Sequence, residues 1–539
     1  MTGTLCAALA LAAFWSTSLS AQKFYPDDPI LAEPRPRPAR NVTGRKLSEY
    51  YDFFNNHFFT PGERHPPKGP PIPSQAVNTL GEVPDSGWYT NRHWPKPMTI
   101  EELVRGPGNR TPPSSDGPWK VVAAKAEGVT PGFTMLDTRG RRYFVKFDPL
   151  SNPEMASAAD VISSKFFHAL GYQVPENYIA YFRREQLVVA PDTRITDAQG
   201  KHRPMTSRDI EELLLRVPRH PKKGYRLVAS LQIPGRLIGP FRYHGVRADD
   251  PNDVVRHEHR RDLRGMYVFA AWLGHNDVKS LNSLDTVVED NGVPYIQHFL
   301  IDFGAGLGSD SFAEKSPRAG YEYLFAFKPS MLQLFTAGLH VPRWARADYP
   351  DIPAAGNLEW EIFDPEKWKP NYRIPAFHNR LPGDVFWAAR QVAAFTDDEI
   401  RAIVATGEFS DPRAAEWIAR CLIGRRDKIG RAYLGRGLPL DRFRVSGGRL
   451  EFDDLAVQYL KAQPQTYRVQ WSRFDNHANC KTELLGESRW QLPRASLQAP
   501  DGEYFSADIA GSPEARQRVT VYLRKQAGQL ELVGVDRIF

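Results

Sequence analysis

Two short stretches hold the residues best suited to chemistry: His275-Asn-Asp-Val-Lys-Ser-Leu-Asn282 and Leu300-Ile-Asp-Phe-Gly304. Asp277 and Asn282, five positions apart on one loop, can set a carboxylate beside an attacking hydroxyl and an amide oxygen on a metal ion. Between the two stretches, Glu289-Asp-Asn-Gly292 contains the Asn-Gly pair that is the strongest short-range hairpin signal. A hairpin return there brings Asp302 to the same metal. Phosphoryl transfer asks for this set, because its loose transition state needs positioning and charge neutralisation more than covalent chemistry.

The same reaction needs a cation on the nucleotide phosphates, held on a rigid strand. Arg142-Tyr-Phe-Val-Lys-Phe147 supplies Lys146, whose ammonium lies on the strand face opposite Val145. A carboxylate from the next helix would hold that ammonium in place, and both Asp160 and Glu154 qualify. Counting back from a helix stop at Gly171, Asp160 falls mid-helix, where a side chain can face the sheet. Glu154 falls in the first turn, where it complements the helix dipole. Asp160 is the favoured partner.

The elements that position these groups follow from hydrophobic period and turn residues. Residues 119 to 147 alternate as strands around a Thr138-Arg-Gly140 turn, and Pro153 to Leu170 read as a helix with Pro at its start. Strand pattern returns over 178 to 190 and over 225 to 241. A helix is expected from Arg256 to Leu273, then the loop and the hairpin. Leu381 to Leu434 is helical, with Thr396-Asp-Asp-Glu399 as an N-terminal cap. Beyond about residue 438 short strands (467 to 471, 517 to 524, 529 to 535) indicate a small β domain.

Composition sets the frame. The chain has 539 residues, of which 41% are hydrophobic, 12% aromatic and 25% charged, which excludes wholesale disorder and a collagen-like fibre. A net charge of +7 over that length is too dilute to argue for a specific nucleic-acid partner. Three cysteines, Cys6, Cys421 and Cys480, have none of the paired spacings of a zinc site. The apolar run Leu5 to Trp15, followed by Ser18, Ser20 and Ala21, reads as a signal peptide over 1 to 21, and is too short to be a transmembrane helix. Export to the periplasm or the medium is therefore expected, and a cytoplasmic place if the run is not a signal. Residues 22 to 115 form a Pro-rich extended arm (Glu33-Pro-Arg-Pro-Arg-Pro38), in which Val83 to Asn91 carries aromatics suited to docking the arm on a domain.

Taken together, these motifs resemble the protein-kinase-like superfamily over about residues 119 to 435. His275 to Asn282 is similar to the catalytic loop H-R-D-L-K-x-x-N, and Asp302-Phe-Gly304 to D-F-G. The resemblance implies that Asp277 is the catalytic base, that Lys279 contacts the transferred phosphoryl group, and that Asn282 and Asp302 bind magnesium. Lys146 becomes the strand lysine that meets ATP, and His275 has a scaffolding role. Glu127-Gly-Val-Thr-Pro-Gly132 and Leu170-Gly-Tyr-Gln-Val-Pro-Glu176 resemble the HipA-type and other atypical kinases. Here Gly128 and Gly132 flank a turn in place of G-x-G-x-x-G, Asn276 replaces the loop arginine, and no A-P-E follows the D-F-G.

The fold so implied is α+β and bilobal: a β-rich N-lobe over 116 to 245, a helical C-lobe over 246 to 437 and a small β domain over 438 to 539. The implied function is an ATP- and magnesium-dependent phosphotransferase acting on a hydroxyl-bearing protein or small molecule. Its alternative is an exported pseudokinase or binding scaffold, since a periplasm offers little ATP. A third reading, a polysaccharide-binding surface protein, rests on scattered tryptophans and the C-terminal strands. Four features carry less: Arg256-His-Glu-His-Arg-Arg261 lacks the H-E-x-x-H spacing and reads as a solvated helix start. Asp285 reads as a hairpin surface residue rather than a metal group, Pro234 to Gly239 falls where a nucleotide-hinge strand would end, and the sequons at Asn41 and Asn109 matter only in a glycosylating host.

Overall fold

The computed structural model describes residues 22–59, 70–108, 111–125, 130–196, 201–325, 331, 335–336, 341–487, 489–512 and 515–539. The expected leader, Gly128 and the Asn109 sequon lie outside these residues. The architecture is mixed α+β, with sheet-rich and helical parts.

Strand alternation builds the first sheet. β1 (Trp119–Ala124), β2 (Gly132–Leu136) and β3 (Arg142–Lys146) pair antiparallel, and the sheet runs β4 (Asn177–Phe182), Gly224–Leu231, β3, β2, β1, β5 (Leu187–Val189). Only the β1 to β5 pairing is parallel among these neighbours. On β3, Tyr143 and Val145 are buried while Arg142 and Phe144 are exposed. The Val145 face packs with Trp119, Phe133 and Met135 onto Ile210, Leu213 and Leu214 of a helix at Ser207–Leu214. Lys146 is thereby left on the opposite face, toward the helix Met155–Ala169, which crosses β4 and the Gly224–Leu231 strand. That helix starts at Met155 rather than Pro153, behind a left-handed Glu154 at φ +69°, and Gly171 ends the segment at φ +105° with the Tyr89 ring against it.

The expected continuous strand over 225 to 241 is two strands in two sheets. Pro234 and Gly235 turn the chain between them, with Gly235 at φ +87°, and Arg236–Gly239 joins a three-stranded sheet with Ser283–Asp290 and Val293–Leu300. Those last two strands form the expected hairpin. Asn291 (φ +48°) and Gly292 (φ +78°) are both left-handed, as a two-residue turn matching strand twist requires.

The helix before the loop runs Arg261–Trp272, not from Arg256. His257–His259 is a separate 3-10 turn, and of the stretch read as a solvated start only Arg256 is exposed, His257 to Arg260 being buried: His257 Nε2 lies 2.8 Å from Asp253, and Arg264 donates to His259 Nδ1 at 2.8 Å. Their charges pair locally, which is what permits burial. The helical part closes around Arg261–Trp272, Pro382–Ala393, Asp397–Ala405 and Pro412–Tyr433, with Trp272 and Trp387 fully buried. Thr396 and Glu399 complete a reciprocal cap at 3.2 and 2.8 Å.

After Leu440–Ser446 and Arg449–Asp454, a five-stranded antiparallel sheet fills residues 468 to 538 around Trp471, Phe505 and Val521. The described residues between Gln22 and Pro118 include the short helix Glu49–Phe54, continued by a π-helical turn at Asn55–Phe59, and the helix Ile100–Arg105. Trp88 is buried against His298 (ring centroids 3.5 Å apart) with the Arg260 guanidinium 4.6 Å from its centroid. Cys421 is buried and Cys480 exposed, both as free thiols. No helix among the described residues is long and apolar enough to cross a membrane.

Candidate active site

The hairpin register explains how the two motif stretches meet. Ser283 pairs with Leu300 at the open end, and the next pair outward is bonded too, Ile301 N–H donating to Asn282 O at 3.0 Å. Asp302 therefore emerges beside Asn282. It does so at φ +61°, a left-handed backbone that a non-glycine residue holds only where its surroundings fix it.

Lys146 meets Asp302 Oδ1 at 2.6 Å and Asp160 Oδ2 at 3.4 Å. The Asp160 side chain is 2% exposed, that of Asp302 44%. Asp160 also accepts the Phe303 N–H at 2.8 Å, so one buried carboxylate fixes both the strand ammonium and the backbone after Asp302. Glu154 turns elsewhere and accepts the Ser410 N–H at 2.7 Å.

Charge follows the same geometry. Burial would lower the Lys146 ammonium, but Asp160 and Asp302 outweigh it and hold the group above its ordinary value. Burial raises the Asp160 carboxyl, with Lys146 opposing. For Asp302 desolvation also works upward, yet Lys146, with Lys125 and Lys279 farther off, holds it below the ordinary carboxylate value.

On the loop side, Asn282 Nδ2 donates to Asp277 O at 2.7 Å and to Asp277 Oδ2 at 3.0 Å, so Oδ1 is the amide atom that a metal could take. Lys279 Nζ lies 3.3 Å from Asp277 Oδ2 and 3.8 Å from Glu49 Oε1, on the first helix of the N-terminal segment. Burial would lower the Lys279 ammonium, and Asp277 raises it above its ordinary value. His275 packs against Phe167 and Phe303, and burial pushes its ring down to about 4. Gly132 is the register partner of Lys146, and a Cβ there would press on the Val145 carbonyl.

Asp285 is not at the hairpin surface. It is fully buried and pairs with His298 at 2.7 Å and Arg247 at 3.2 Å, on the far side of its strand from solvent. Lys125 and Glu49 were not singled out from sequence. A lone lysine beside a turn and a glutamate 230 positions from Lys279 carry no local signal of their meeting the site.

A hard-oxygen donor pair, one carboxylate and one amide, fits a magnesium ion whose remaining shell is phosphate oxygen and water. Asp302 and Asn282 are the residues that would hold it.

No family model and no curated protein matches the chain. Among solved structures it is similar to a Helicobacter pylori proinflammatory kinase, CtkA, with 13% identity over 58% of this chain and 96% of that one, at a TM-score of 0.31. It is also similar to the Golgi casein kinase with Mn/ADP bound, with 11% identity, 77% of this chain and 97% of that one, at 0.31. A second structure of the Golgi casein kinase gives 10% identity, 76% and 97%, at 0.29. The chemistry of the site therefore has to come from its own side chains.

Proposed function

We propose that this protein is an ATP- and magnesium-dependent phosphotransferase of the atypical kinase type, acting on a hydroxyl acceptor. One observation carries the reading: Lys146, Asp160 and Asp302, from a strand, a helix and the end of a hairpin, meet within 3.4 Å beside the Asp277 and Asn282 pair. Lys146 binds the nucleotide phosphates and Asp160 keeps its ammonium aimed. Asn282 and Asp302 hold the magnesium, which supplies charge neutralisation at the phosphates. Asp277 orients the acceptor hydroxyl and takes its proton as the oxygen bonds to the γ-phosphorus. The bond from that phosphorus to the β,γ-bridging oxygen breaks, and ADP leaves. Lys279 neutralises charge on the transferred group.

Asp277→Ala is expected to lower transfer by about 10²- to 10⁴-fold, the usual share of a general base, with ATP affinity little changed. A radiolabelled transfer assay beside calorimetric ATP titration measures both. Full turnover by the variant would refute the assignment.

A second reading is an exported scaffold without turnover. It is favoured by the pairing of Glu49 with Lys279, which sets an arm carboxylate on a catalytic-loop cation. No melting-temperature rise at millimolar Mg-ATP would select it. Export belongs to both readings, with processing near Ala21. Protein secreted by its host should then begin close to Gln22 on N-terminal sequencing.

A further inference from the structure

Lys125 has no role in the reading above, yet its side chain lies on the same face of the same sheet. Its N–H donates to Gly132 O at 3.3 Å. A Cβ at Gly132 would sit 3.2 Å from Lys125 Cδ, and Gly132 stands directly opposite Lys146 on the neighbouring strand. Directly opposed residues of an antiparallel pair project to one side. Lys125 therefore crosses the Gly132 gap toward the side that Lys146 occupies.

The two ammonium groups differ in how they are held. Lys146 is committed to two carboxylates. Lys125 Nζ donates to Thr130 Oγ1 at 2.6 Å and to Thr130 O at 3.0 Å, and among the described residues these neutral oxygens are its hydrogen-bond partners. Burial, then repulsion from Lys146, lowers its affinity for the proton, while Asp302 and Asp160 pull the other way. The group thus feels Lys146, Asp302 and Asp160, and among the described residues no carboxylate is bonded to it. A triphosphate is the ligand that such a cation suits.

We infer that Lys125 is a second cationic ligand of the nucleotide, exchanging Thr130 for β- and γ-phosphate oxygens while Lys146 holds them from the neighbouring strand. This rests on the phosphotransferase reading. Gly132 then has a definite purpose: any side chain there would stand between the two lysines.

The test is calorimetric binding of AMP, ADP and ATP with magnesium to the full chain and to its Lys125→Met and Lys125→Arg variants. Lys125→Met should weaken ATP by about tenfold or more, ADP less and AMP not at all, and Lys125→Arg should recover most of the loss. Thr130→Val, which removes the hydroxyl acceptor and leaves the carbonyl one, should keep ATP affinity. Wild-type ATP affinity in Lys125→Met overturns the proposal and leaves the phosphotransferase reading standing. Equal weakening of all three nucleotides also overturns it, because support of the turn alone would do that. A wild-type chain that binds no nucleotide removes the reading and this inference together. Circular dichroism confirms that the variants are folded; the half-exposed position of Lys125 makes them tolerable.

Discussion

Asp160 is the residue on which the site's electrostatics turn, because it is the carboxylate with least access to water. Removing its partner strands a buried charge, and stranding costs more than the pair itself is worth. Lys146→Met is accordingly expected to lower stability by on the order of 2 kcal/mol in urea unfolding, as well as to remove transfer. Lys146→Met together with Asp160→Leu should recover most of the stability and none of the activity. His275 supplies a pH dependence with a definite sign. Free, its ring titrates near 6.5; folded, near 4, because burial disfavours the charged form. The unfolded chain then binds more protons between those values, so stability falls as pH drops from about 6.5 to about 4, by up to about 3 kcal/mol from this group. His168, pushed down to about 3 by burial, acts in the same direction. Urea midpoints at about pH 7 and pH 4.5 should show the fall, and His275→Gln should show a smaller one.

The hairpin is the element that converts sequence spacing into a site. Its strands pair without a slip from Asp290 and Val293 to Ser283 and Leu300, so the turn sets where Asp302 arrives. Gly292 at φ +78° adopts a conformation that costs an L-residue about 1 kcal/mol, and Gly292→Val should lose about that in thermal unfolding. A register shift would show as a larger loss of transfer than of stability. Residues 283 to 300 were legible because an Asn-Gly turn and flanking alternation are local signals. The strand over 225 to 241 was misread because each half alternates well, and only partner strands reveal that they belong to separate sheets. The same limit applied to Asp285 and to His257. A charged residue looks solvent-bound in sequence until Arg247 and the cross-strand His298 reach Asp285, and until Trp88 covers His257, whose carboxylate partner Asp253 lies only four residues before it.

At the scale of the whole molecule, the N-terminal segment, the helices and the C-terminal sheet are joined through buried charge. The Arg390 guanidinium pairs with Glu82 of the arm and Asp441 of the C-terminal region, and Arg537 reaches the same Asp441 at 3.3 Å. Near the other end of the arm, Phe24 stacks on Tyr504 at 5.9 Å, and Asn476 bonds both its N–H and its carbonyl at 2.8 Å. Cutting the chain after residue 437 would leave Arg390 buried without one carboxylate and Phe24 without its socket. Such a truncation is expected to unfold at a melting temperature several degrees lower or to be insoluble, rather than to leave residues 22 to 437 intact. Differential scanning fluorimetry of the truncated and full chains decides this. An unchanged melting temperature would show the C-terminal sheet to be an independent appendage.

What the sequence determined by itself was local: the loop that carries Asp277 and Asn282, the turn that returns Asp302, the strand that carries Lys146 and the helix that bears Asp160. Those features depend on neighbours a few residues away, and propensity and spacing record them. Position along the helix already favoured Asp160 over Glu154 for the ammonium; the tertiary structure alone decided that Asp285 and His257 are interior, and that Lys125 and Glu49 border the site. Each of these depends on which distant surface is brought close, because burial and the Coulomb field of a folded chain are properties of its packing rather than of its local order.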